Sequence, residues 1–422
     1  MQKETSYDVA VIGGGPAGMM AAIRAAELGA QVVIIEKNEK LGKKLLLTGG
    51  GRCNVTNATF DNRALAKKYG EKGKFLLSPL SHWNSQNTVD FFENHGMPTK
   101  IENEFRVFPQ SNSTKSVLDV LVNELKRHKV KILLNTPVSK IVQKNGLITG
   151  VETSQGTIHA TSYIITTGGR ARPETGSTGE GFSWLTKLGH NVITPNVALV
   201  PVKISEQWVK KLQGLSLSEA RITLFENNER TLAQTGKILF THFGISGPLI
   251  LNLSATIREA MEESNVTLSL DLFPNLDHRE LDLKLREHLK VAQNKKWQNA
   301  LKGFVAPLLA PVLIELSQID PELFVNKIPR EARLAFIKLL KDLTLTPTGF
   351  LGIEKAIVSS GGVALEEIDF KTMRSQKIEN LFLAGDILDF DRPSGGFSLQ
   401  ICWTTGFVAG ENSSKHSPKA TK

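Results

Sequence analysis

Three glycines near the N-terminus have the spacing of a turn that holds a nucleotide. Gly13, Gly15 and Gly18 follow the apolar run of residues 7–12 and precede a helical stretch that Gly29 ends. The first glycine permits a tight turn, the second lets the backbone approach a pyrophosphate, and the third lets helix and strand pack closely. The phosphates would then face free N–H groups at the start of the helix. We therefore predict a dinucleotide site that includes Gly13, Gly15, Pro16, Ala17 and Gly18.

An acidic residue ends the second strand of this unit. Residues 31–36 contain four consecutive β-branched residues, which is typical of a buried strand, and the strand–helix–strand order predicts that the two strands are parallel. Glu36 is expected to accept hydrogen bonds from both hydroxyls of an adenosine ribose and to repel a 2′-phosphate. NADP is therefore disfavoured at this site, which Lys37 adjoins, while FAD and NAD both stay open.

A second glycine-rich element, near the C-terminus, favours FAD. The predicted strand at residues 381–383 is followed by Gly385 and Asp386, and an acidic side chain there suits the hydroxyls of a flavin ribityl chain. A helix is predicted over residues 394–410, and its N-terminus would stabilise negative charge on a reduced flavin. An enzyme that binds only NAD does not need this element. We therefore predict FAD as the cofactor, with contacts from Asp386, Gly395, Gly396 and Phe397.

Four motifs, in order along nearly the whole chain, resemble those of the BaiN/YhiN flavoproteins. The first and most specific is GKKLLLTGGGRCNVTN at residues 42–57, and the others lie at 167–179, 241–248 and 385–410. That family comprises NAD(P)/FAD-dependent oxidoreductases, among them aminoacetone oxidases and bile-acid enone reductases. The resemblance implies an α/β fold: a Rossmann-type, glutathione-reductase-like FAD-binding domain with an inserted β-barrel domain and a small helical subdomain.

The resemblance also implies further cofactor contacts. It places Arg52, Cys53 and Asn54 close to the flavin, and related flavoproteins use the backbone of a residue such as Val138 to bind the adenine. Family members often carry Glu at the position of Asp386 and a small residue at that of Arg392. The shorter Asp386 would contact the ribityl chain through water, and Arg392 would narrow the substrate opening or add an anion contact. The added cofactor-binding residues are Gly50, Gly51, Arg52, Cys53, Asn54, Val138, Thr167, Gly168 and Gly169.

Basic and thiol side chains in the first motif have two interpretations each. Lys44 and Arg52 are candidates for contacts with the pyrophosphate or an anionic substrate, and the alternative is a solvated loop. Cys53 suggests thiol–flavin chemistry, but disulfide-type flavoenzymes need two cysteines close in sequence and Cys402 is remote. A small side chain packed beside the flavin is therefore the favoured role for Cys53.

The catalytic acid or base is not identified by the sequence. His242 is a weak candidate, because a lone histidine in a turn rich in Phe and Gly is more often structural. Arg172, which like Arg170 follows the Gly168–Gly169 turn, is a second weak candidate that would select an anionic substrate. A surface or hinge role suits these arginines equally well.

Secondary-structure patterns suggest a discontinuous layout. Residues 37–60 are predicted to form a long functional loop. Helices are predicted at 85–97 and 115–128, and strands at 130–134, 148–153 and 162–166. Residues 197–273 are rich in β-patterned runs, 279–340 are helical and interrupted by Pro307, Pro311, Pro321 and Pro329, and 349–370 return to strands. The predicted domains are the FAD-binding domain (1–190 and 373–412), the β-barrel domain (191–275 and 343–372), the helical subdomain (276–342) and a flexible tail (413–422).

Composition narrows the class of protein. The chain has 422 residues, 41% of them hydrophobic and 22% charged, as expected of a globular protein with more than one domain. No apolar run approaches the ~18 residues of a membrane span, and no signal-peptide layout is seen, so a cytoplasmic location is expected. Two cysteines and scattered histidines predict no metal site. The net charge of +9 fits either a solvated basic surface or the attraction of anionic ligands.

Three functions are consistent with these patterns. The first is an FAD-dependent oxidoreductase that acts on a small metabolite, either as an oxidase or as an NAD(P)H-dependent reductase of a conjugated double bond. No second glycine motif with a strand and a helix is present, so NAD(P)H would be a transient donor. The alternatives are a flavin-binding regulator without turnover and an FAD-dependent nucleic-acid-modifying protein, which the basic helical segment at 284–302 motivates. A nucleic-acid partner is disfavoured because no recognised module is present. The sequence does not specify the oligomeric state.

Overall fold

The computed structural model describes residues 6–193, 197–198, 200–351, 358–359 and 361–415. The chain divides into two compact units, Met1–Val197 with Ala356–Lys422 and Ala198–Lys355. Each unit has its own core of buried apolar side chains.

The helices and strands have the following bounds. The strands are β1 Ser6–Ile12, β2 Val32–Ile35, β3 Thr56–Asn57, β4 Thr99–Glu102, β5 Arg106–Pro109, β6 Lys131–Leu133, β7 Val138–Lys144, β8 Leu147–Thr153, β9 Gly156–Ile165, β10 Val192–Ile193, β11 Val197–Ala198, β12 Val202–Ile204, β13 Ser216–Glu226, β14 Glu229–Thr241, β15 Gly244–Ser246, β16 Val266–Asp271, β17 Leu343–Leu345, β18 Pro347–Phe350, β19 Val358–Ser359, β20 Gly362–Val363, β21 Ile368–Asp369, β22 Arg374–Ser375 and β23 Leu381–Leu383. The helices are α1 Pro16–Glu27, α2 Asn62–Lys67, α3 Leu77–His82, α4 Ser85–Asn94, α5 Thr114–Arg127, α6 Glu180–Lys187, α7 Pro248–Glu263, α8 His278–Val291, α9 Leu309–Ser317, α10 Arg330–Lys341 and α11 Phe397–Lys415.

A parallel sheet forms the centre of the first unit. Its strands run in the order β23-β9-β1-β2-β6, and every neighbouring pair is parallel. The strands of a parallel sheet are covered on both faces, which is why β1 and β2 read as continuous apolar runs. Antiparallel strands extend the sheet, with β22 and β21 beyond β23 and with the β7–β8 hairpin paired to β9. This is the Rossmann-type arrangement that the first glycine motif predicts.

Two helices from opposite ends of the chain pack closely in this unit. A Cβ on Gly406 would lie 2.5 Å from the carbonyl oxygen of Ala17, and one on Gly410 would lie 2.2 Å from that of Ala21. Both distances are far below van der Waals contact, so these two glycines let the backbones of α11 and α1 approach. The N-terminal nucleotide motif and the C-terminal glycine element therefore belong to one folded unit.

The second unit is built on an antiparallel sheet. Seven strands lie in the order β17-β16-β13-β14-β15-β12-β18. Helix α7 packs against β14, β15 and β16, and α10 packs against α8 and α9. Pro329 is the N-cap residue of α10, as a helix breaker should be, whereas Pro311 lies in the first turn of α9 and does not interrupt that helix.

Several elements differ from the sequence predictions. The loop predicted at 37–60 contains a 3₁₀ segment, Leu45–Gly51, and strand β3. Helix α7 lies in the region predicted to be rich in strands; its apolar β-branched residues hid it, although Pro248 at its first position is a helix-start signal. Helix α11 begins at Phe397 and continues to Lys415, into the predicted tail, and residues 416–422 lie outside the described residues. None of the helices described is long and apolar enough to cross a bilayer.

Candidate cofactor site

A cleft opens where the parallel strands of the first unit end. Gly13, Glu36 and Thr166 directly follow β1, β2 and β9, and Asp386 lies three residues after β23; all four line this cleft. Its volume is about 850 Å³, part of it open to solvent. The carboxyl ends of parallel strands are where α/β folds of this kind bind ligands.

The glycine turn at the base of the cleft has one open position and two crowded ones. Gly13 has a φ of +109° and Gly18 lies so close to it that a Cβ on Gly18 would be 2.0 Å from the Gly13 carbonyl oxygen. A Cβ on Gly15 would meet nothing within 4 Å. Gly15 is also the N-cap residue of α1 and has no side chain to cap the helix. The free N–H groups of the first turn of α1 therefore adjoin open space, which suits a phosphate group.

Glu36 is a buried carboxylate that the backbone already surrounds with donors. Its Oε2 accepts a 2.7 Å hydrogen bond from the N–H of Gly14. Its Oε1 accepts hydrogen bonds from the backbone N–H and the side-chain amide of Asn38, at 2.8 and 2.7 Å. Each carboxylate oxygen has two acceptor positions, so Oε2 keeps one for a ligand hydroxyl.

A strap, defined here as residues 173–180, lies across the Glu36 end of the cleft. The Nζ of Lys37 donates to Oγ1 of Thr178 at 2.8 Å and lies 2.9 Å from Oε2 of Glu180. The side-chain amide of Asn38 donates to the carbonyl of Thr175 at 3.0 Å. Lys37, predicted as a cofactor contact, therefore uses its ammonium group to hold this strap.

Asp386 lies between two cations. Its carboxylate is 3.4 Å from Nζ of Lys44 and 3.3 Å from Nε of Arg392. Burial opposes ionisation of Asp386, but the charges of Arg392 and Lys44 outweigh it and hold the pKa below its ordinary value. Arg392 is itself buried and also donates to the carbonyl of Leu388. Arg392 therefore contacts the carboxylate of Asp386, and its expected role at a substrate opening or with a ligand anion stays a prediction.

The first family motif passes beside the start of α11. Gly49, Gly50 and Gly51 have positive φ, and a Cβ on Gly50 or Gly51 would meet nothing within 4 Å. The side-chain oxygen of Asn54 is buried, has no hydrogen-bond partner among the described residues, and would lie 3.0 Å from a Cβ on Gly396. An unpartnered buried oxygen beside open glycines is a place that a ligand donor would satisfy.

Arg52 makes its contacts away from this cleft. Its guanidinium pairs with Glu102, donates hydrogen bonds of 2.8 and 3.1 Å to Oδ1 of Asn112, and stacks over Phe108 at 4.3 Å. Hydrogen bonds from Arg52 and Lys100 lower the pKa of Glu102. Arg52 does not line the cleft, and its contact with a pyrophosphate or an anionic substrate stays a prediction.

Both cysteines are buried thiols. Burial raises the pKa of Cys53 to about 12, although a hydrogen bond with Thr48 opposes the rise, and burial likewise raises the pKa of Cys402. A thiol of that pKa is protonated at neutral pH and is a poor nucleophile. The packed role favoured for Cys53 agrees with this environment. Among the described residues no cluster of three or more His, Cys, Asp or Glu side chains has the arrangement of a metal site.

The remaining predicted residues divide between the cleft and other places. Val138 begins β7 and lines the cleft with Thr167 and Gly168, and Oγ1 of Thr167 is buried without a hydrogen-bond partner among the described residues. Arg172 has a φ of +61°, directly precedes the strap and pairs with Glu174 at 3.6 Å. His242 is exposed in the turn between β14 and β15 of the second unit. The predicted cofactor residues outside the cleft lining are Gly18, Gly50, Gly51, Arg52, Cys53, Asn54, Gly169, Gly395, Gly396 and Phe397.

Sequence reasoning missed much of the strap side of the cleft. No sequence pattern marks Asn38 or Thr136 as a ligand contact, because a lone polar residue after a strand is common. The strap could have been predicted, since residues 173–179 belong to the second family motif. The lining residues not predicted as cofactor contacts include Gly14, Asn38, Gly42, Thr136, Thr166, Thr175, Gly176, Ser177, Thr178, Gly179, Glu180 and Trp184.

Comparisons with known proteins agree with this geometry. A family model described as the HI0933-like protein Rossmann domain matches residues 7–412. The chain belongs to this family. A member from Clostridium scindens, a 3-dehydro-bile acid delta(4,6)-reductase, is 30% identical over 95% of this chain and 98% of its own length. A ribosomal RNA dihydrouridine synthase of Escherichia coli is 26% identical over 96% of this chain and 98% of its own length.

The fold is shared with a dehydrogenase of known structure. The 3-ketosteroid delta1-dehydrogenase of Sterolibacterium denitrificans superposes with a TM-score of 0.56 at 14% identity, over 97% of this chain and 99% of that one. This chain is an FAD-dependent oxidoreductase with a Rossmann-type FAD-binding fold. The open glycine turn and the unpartnered oxygens of Asn54 and Thr167 fit such a cofactor.

Proposed function

We propose that the protein is a reductase of a ring carbon–carbon double bond that is conjugated with a carbonyl group. One observation carries this proposal: two full-length relatives with unrelated substrates have names that describe the same reaction. One reduces double bonds of a 3-dehydro bile acid, and the other makes dihydrouridine, in which the ring double bond of uridine is saturated. The reaction that the two relatives share is therefore a better basis for a proposal about this protein than either of their substrates.

The cofactor is held, in this proposal, from both ends of the chain. Glu36 and Val138 bind the adenosine, while Gly15 and the first turn of α1 bind the pyrophosphate. Asp386 binds the ribityl chain, supported by its ionised state between Lys44 and Arg392. When bound, FAD supplies the hydride chemistry. The residues proposed for the flavin end are Gly50, Gly51, Cys53, Asn54, Gly395, Gly396 and Phe397.

The flavin end of the proposed site lies before the N-terminus of helix α11. Helix α11 starts at Phe397, directly after Gly395 and Gly396, and has 19 residues. Its N-terminal field and free N–H groups stabilise negative charge placed before them. This arrangement favours the reduced, anionic form of a cofactor bound there, which a reductase and an oxidase both require.

The organisation of the second unit is part of the proposal. Its antiparallel sheet, with strands between 202 and 271 and at 343–350, and its helices α8–α10 support a β-barrel domain with a helical subdomain (276–342). The bounds predicted for the β-barrel domain (191–275 and 343–372) also include β21, which extends the sheet of the first unit. His242 and Arg172 stay weak candidates for roles in catalysis, and a small metabolite is the proposed substrate.

A second candidate substrate is ribosomal RNA. The net charge of +9 and the name of the Escherichia coli relative favour it. Binding that depends on neutralising phosphates weakens steeply as salt is added. A steroid-like or other small enone would lack that salt dependence.

The test has two steps. Anaerobic mixing with NADH or NADPH should bleach the visible absorbance of the flavin, and adding an acceptor with a conjugated double bond should restore it without dioxygen. The acceptors are 4-androstene-3,17-dione and a uridine-containing ribosomal RNA transcript. Reoxidation only by dioxygen would overturn the reductase proposal in favour of an oxidase, and loss of bleaching with both donors would exclude NAD(P)H as the donor.

A further inference from the structure

We propose that Phe105 is a substrate-contacting residue whose ring packs against the unsaturated ring of the substrate. This inference deepens the proposed function and rests on it. Phe105 lies in the loop of residues 103–105, which joins β4 to β5. Its side chain is 66% exposed, the highest value for a phenylalanine in the described part of the chain.

The backbone around Phe105 is held in an unusual conformation. Glu104 and Phe105 have φ values of +62° and +57°, in the left-handed region that residues with a side chain rarely adopt. Two such residues in succession cost free energy, and strain of this kind persists only where surrounding contacts impose it. A single exposed phenylalanine needs no explanation by itself. An exposed phenylalanine on a strained backbone does need one.

Hydrogen bonds from Asn57 and Ala58 hold the loop in this conformation. Asn57, which is 4% exposed, donates from Nδ2 to the carbonyl of Glu104 at 3.0 Å and to the carbonyl of Gly395 at 3.1 Å. Its Oδ1 accepts from Thr59 at 2.6 Å, so the amide orientation is fixed. The next residue, Ala58, donates its N–H to the carbonyl of Phe105 at 2.7 Å.

The same amide group therefore joins the Phe105 loop to the turn that starts α11. Gly395 and Gly396 form that turn, and they belong to the proposed flavin end of the site. Asn54, three residues before Asn57 on the same segment, carries the buried oxygen without a hydrogen-bond partner among the described residues. A phenylalanine ring at this place has a flat apolar face, which suits stacking on a conjugated ring.

The apolar ring of Phe105 indicates which class of substrate it would contact. Phe105 offers no charge and no hydrogen bond, so it selects for a planar, unsaturated ring rather than for an open-chain metabolite. Both a steroid enone and a uracil base have such a ring. The shared feature is the conjugated ring, and the two sources are separated by the probes used in the test.

The test compares Phe105→Ala and Phe105→Trp with wild-type protein and with Leu28→Ala. Leu28 is 46% exposed at the opposite end of α1 from the cleft, so this variant controls for the loss of an exposed apolar side chain. The probes are 4-androstene-3,17-dione and a uridine-containing transcript. FAD content is measured for each variant, together with KM, kcat and binding of each probe by perturbation of the flavin spectrum.

Phe105→Ala should raise KM and the dissociation constant by about fivefold or more, because one stacking contact is lost. The kcat and the FAD content should stay near their wild-type values. Phe105→Trp should restore binding, and Leu28→Ala should have no effect. Unchanged KM in Phe105→Ala, or weaker binding that accompanies loss of FAD, would overturn the inference alone. If wild-type protein binds neither probe, the inference fails together with the choice of a conjugated substrate. If it binds a probe but does not reduce it, only the reductase proposal fails, and the binding data still decide the role of Phe105.

Discussion

The backbone N–H of Gly14 donates a 2.7 Å hydrogen bond to the buried carboxylate of Glu36. This bond ties the glycine turn after β1 to the end of β2, so the acidic residue shapes the turn in addition to facing a ligand. The sequence predicts only the second of these two roles. A substitution of Glu36 should therefore lower the stability of the turn as well as the affinity for the cofactor.

Glu36→Ala is expected to weaken FAD binding and to destabilise the first unit. The change leaves the buried N–H of Gly14 without an acceptor, at ~1–3 kcal/mol, and the half-buried N–H of Asn38 without one at a smaller cost. Fluorescence titration of the apoprotein with FAD and urea unfolding measure the two effects. Glu39→Ala, at an exposed neighbouring carboxylate, is the control. Equal FAD affinity in the two variants would contradict the role of Glu36.

Lys37→Ala is expected to speed the release of FAD more than it lowers stability. Lys37 holds the strap through Thr178 and Glu180, and the ion pair is half exposed, so its contribution to the free energy of unfolding is at most about 1 kcal/mol. A strap without its tether opens more often and lets the cofactor leave. Stopped-flow release of FAD into excess apoprotein of a second flavoprotein measures the rate. Lys40 pairs with the exposed Glu39, so Lys40→Ala should release FAD at the wild-type rate.

The nucleotide-binding half of the fold follows closely from local sequence signals. Consecutive β-branched residues, three spaced glycines and an acidic strand end each have one physical explanation, and together they predict β1, α1 and β2 within a few residues. The start of α11 was also predicted within a few residues, because Gly395 and Gly396 precede it. These signals are local, which is why they can be read from sequence.

The contacts that complete the cleft depend on distant segments. Lys37 meets Glu180, and Lys44 meets Asp386; neither pairing has a spacing rule that a sequence shows. Arg52 has a guanidinium suited to phosphate, but Glu102 and Asn112 approach it from another hairpin. These ion pairs form between oppositely charged side chains that lie far apart in sequence. A single sequence shows the charges but not which of them meet.

Asp386→Asn is expected to lower the stability of the protein at neutral pH. The substitution removes the negative charge that two cations share and breaks the ion pair of the buried Arg392 guanidinium, an effect of roughly 3–5 kcal/mol for a fully buried pair and less here because Lys44 is partly exposed. Urea unfolding at neutral pH measures it. Leu383→Val, a conservative change in the adjoining strand, controls for disturbance of β23.

The same carboxylate gives a pH dependence with a defined sign. The pKa of Asp386 is lowered in the folded protein, so its stabilisation is present above the ordinary pKa of 3.8 and is lost as pH falls through the lower folded value. The stability difference between wild type and Asp386→Asn should therefore shrink as the pH is lowered into that range. A difference that stays constant from neutral to acidic pH would contradict an ionised Asp386.

A buried histidine provides the last prediction. His190 is 3% exposed; its Nδ1 lies 2.7 Å from Oε2 of Glu367, and its Nε2 lies 2.9 Å from Oγ of Ser375, while Lys377 also pairs with Glu367. Burial lowers the pKa of His190 and outweighs the opposing effect of Glu367. The unfolded chain therefore takes up a proton near the ordinary pKa of 6.5 while the folded protein does not, so stability should fall as the pH drops below 6.5.

His190→Gln should remove that part of the pH dependence while keeping a polar side chain beside Glu367 and Ser375. The measurement is urea unfolding at a series of pH values from neutral to mildly acidic. His242→Gln, at an exposed ring in the second unit, controls for the loss of a histidine. A stability that rises as the pH drops below 6.5 in wild type would mean that the Glu367 carboxylate, and not burial, governs the proton on His190, since an ion pair favours the charged ring and reverses the sign.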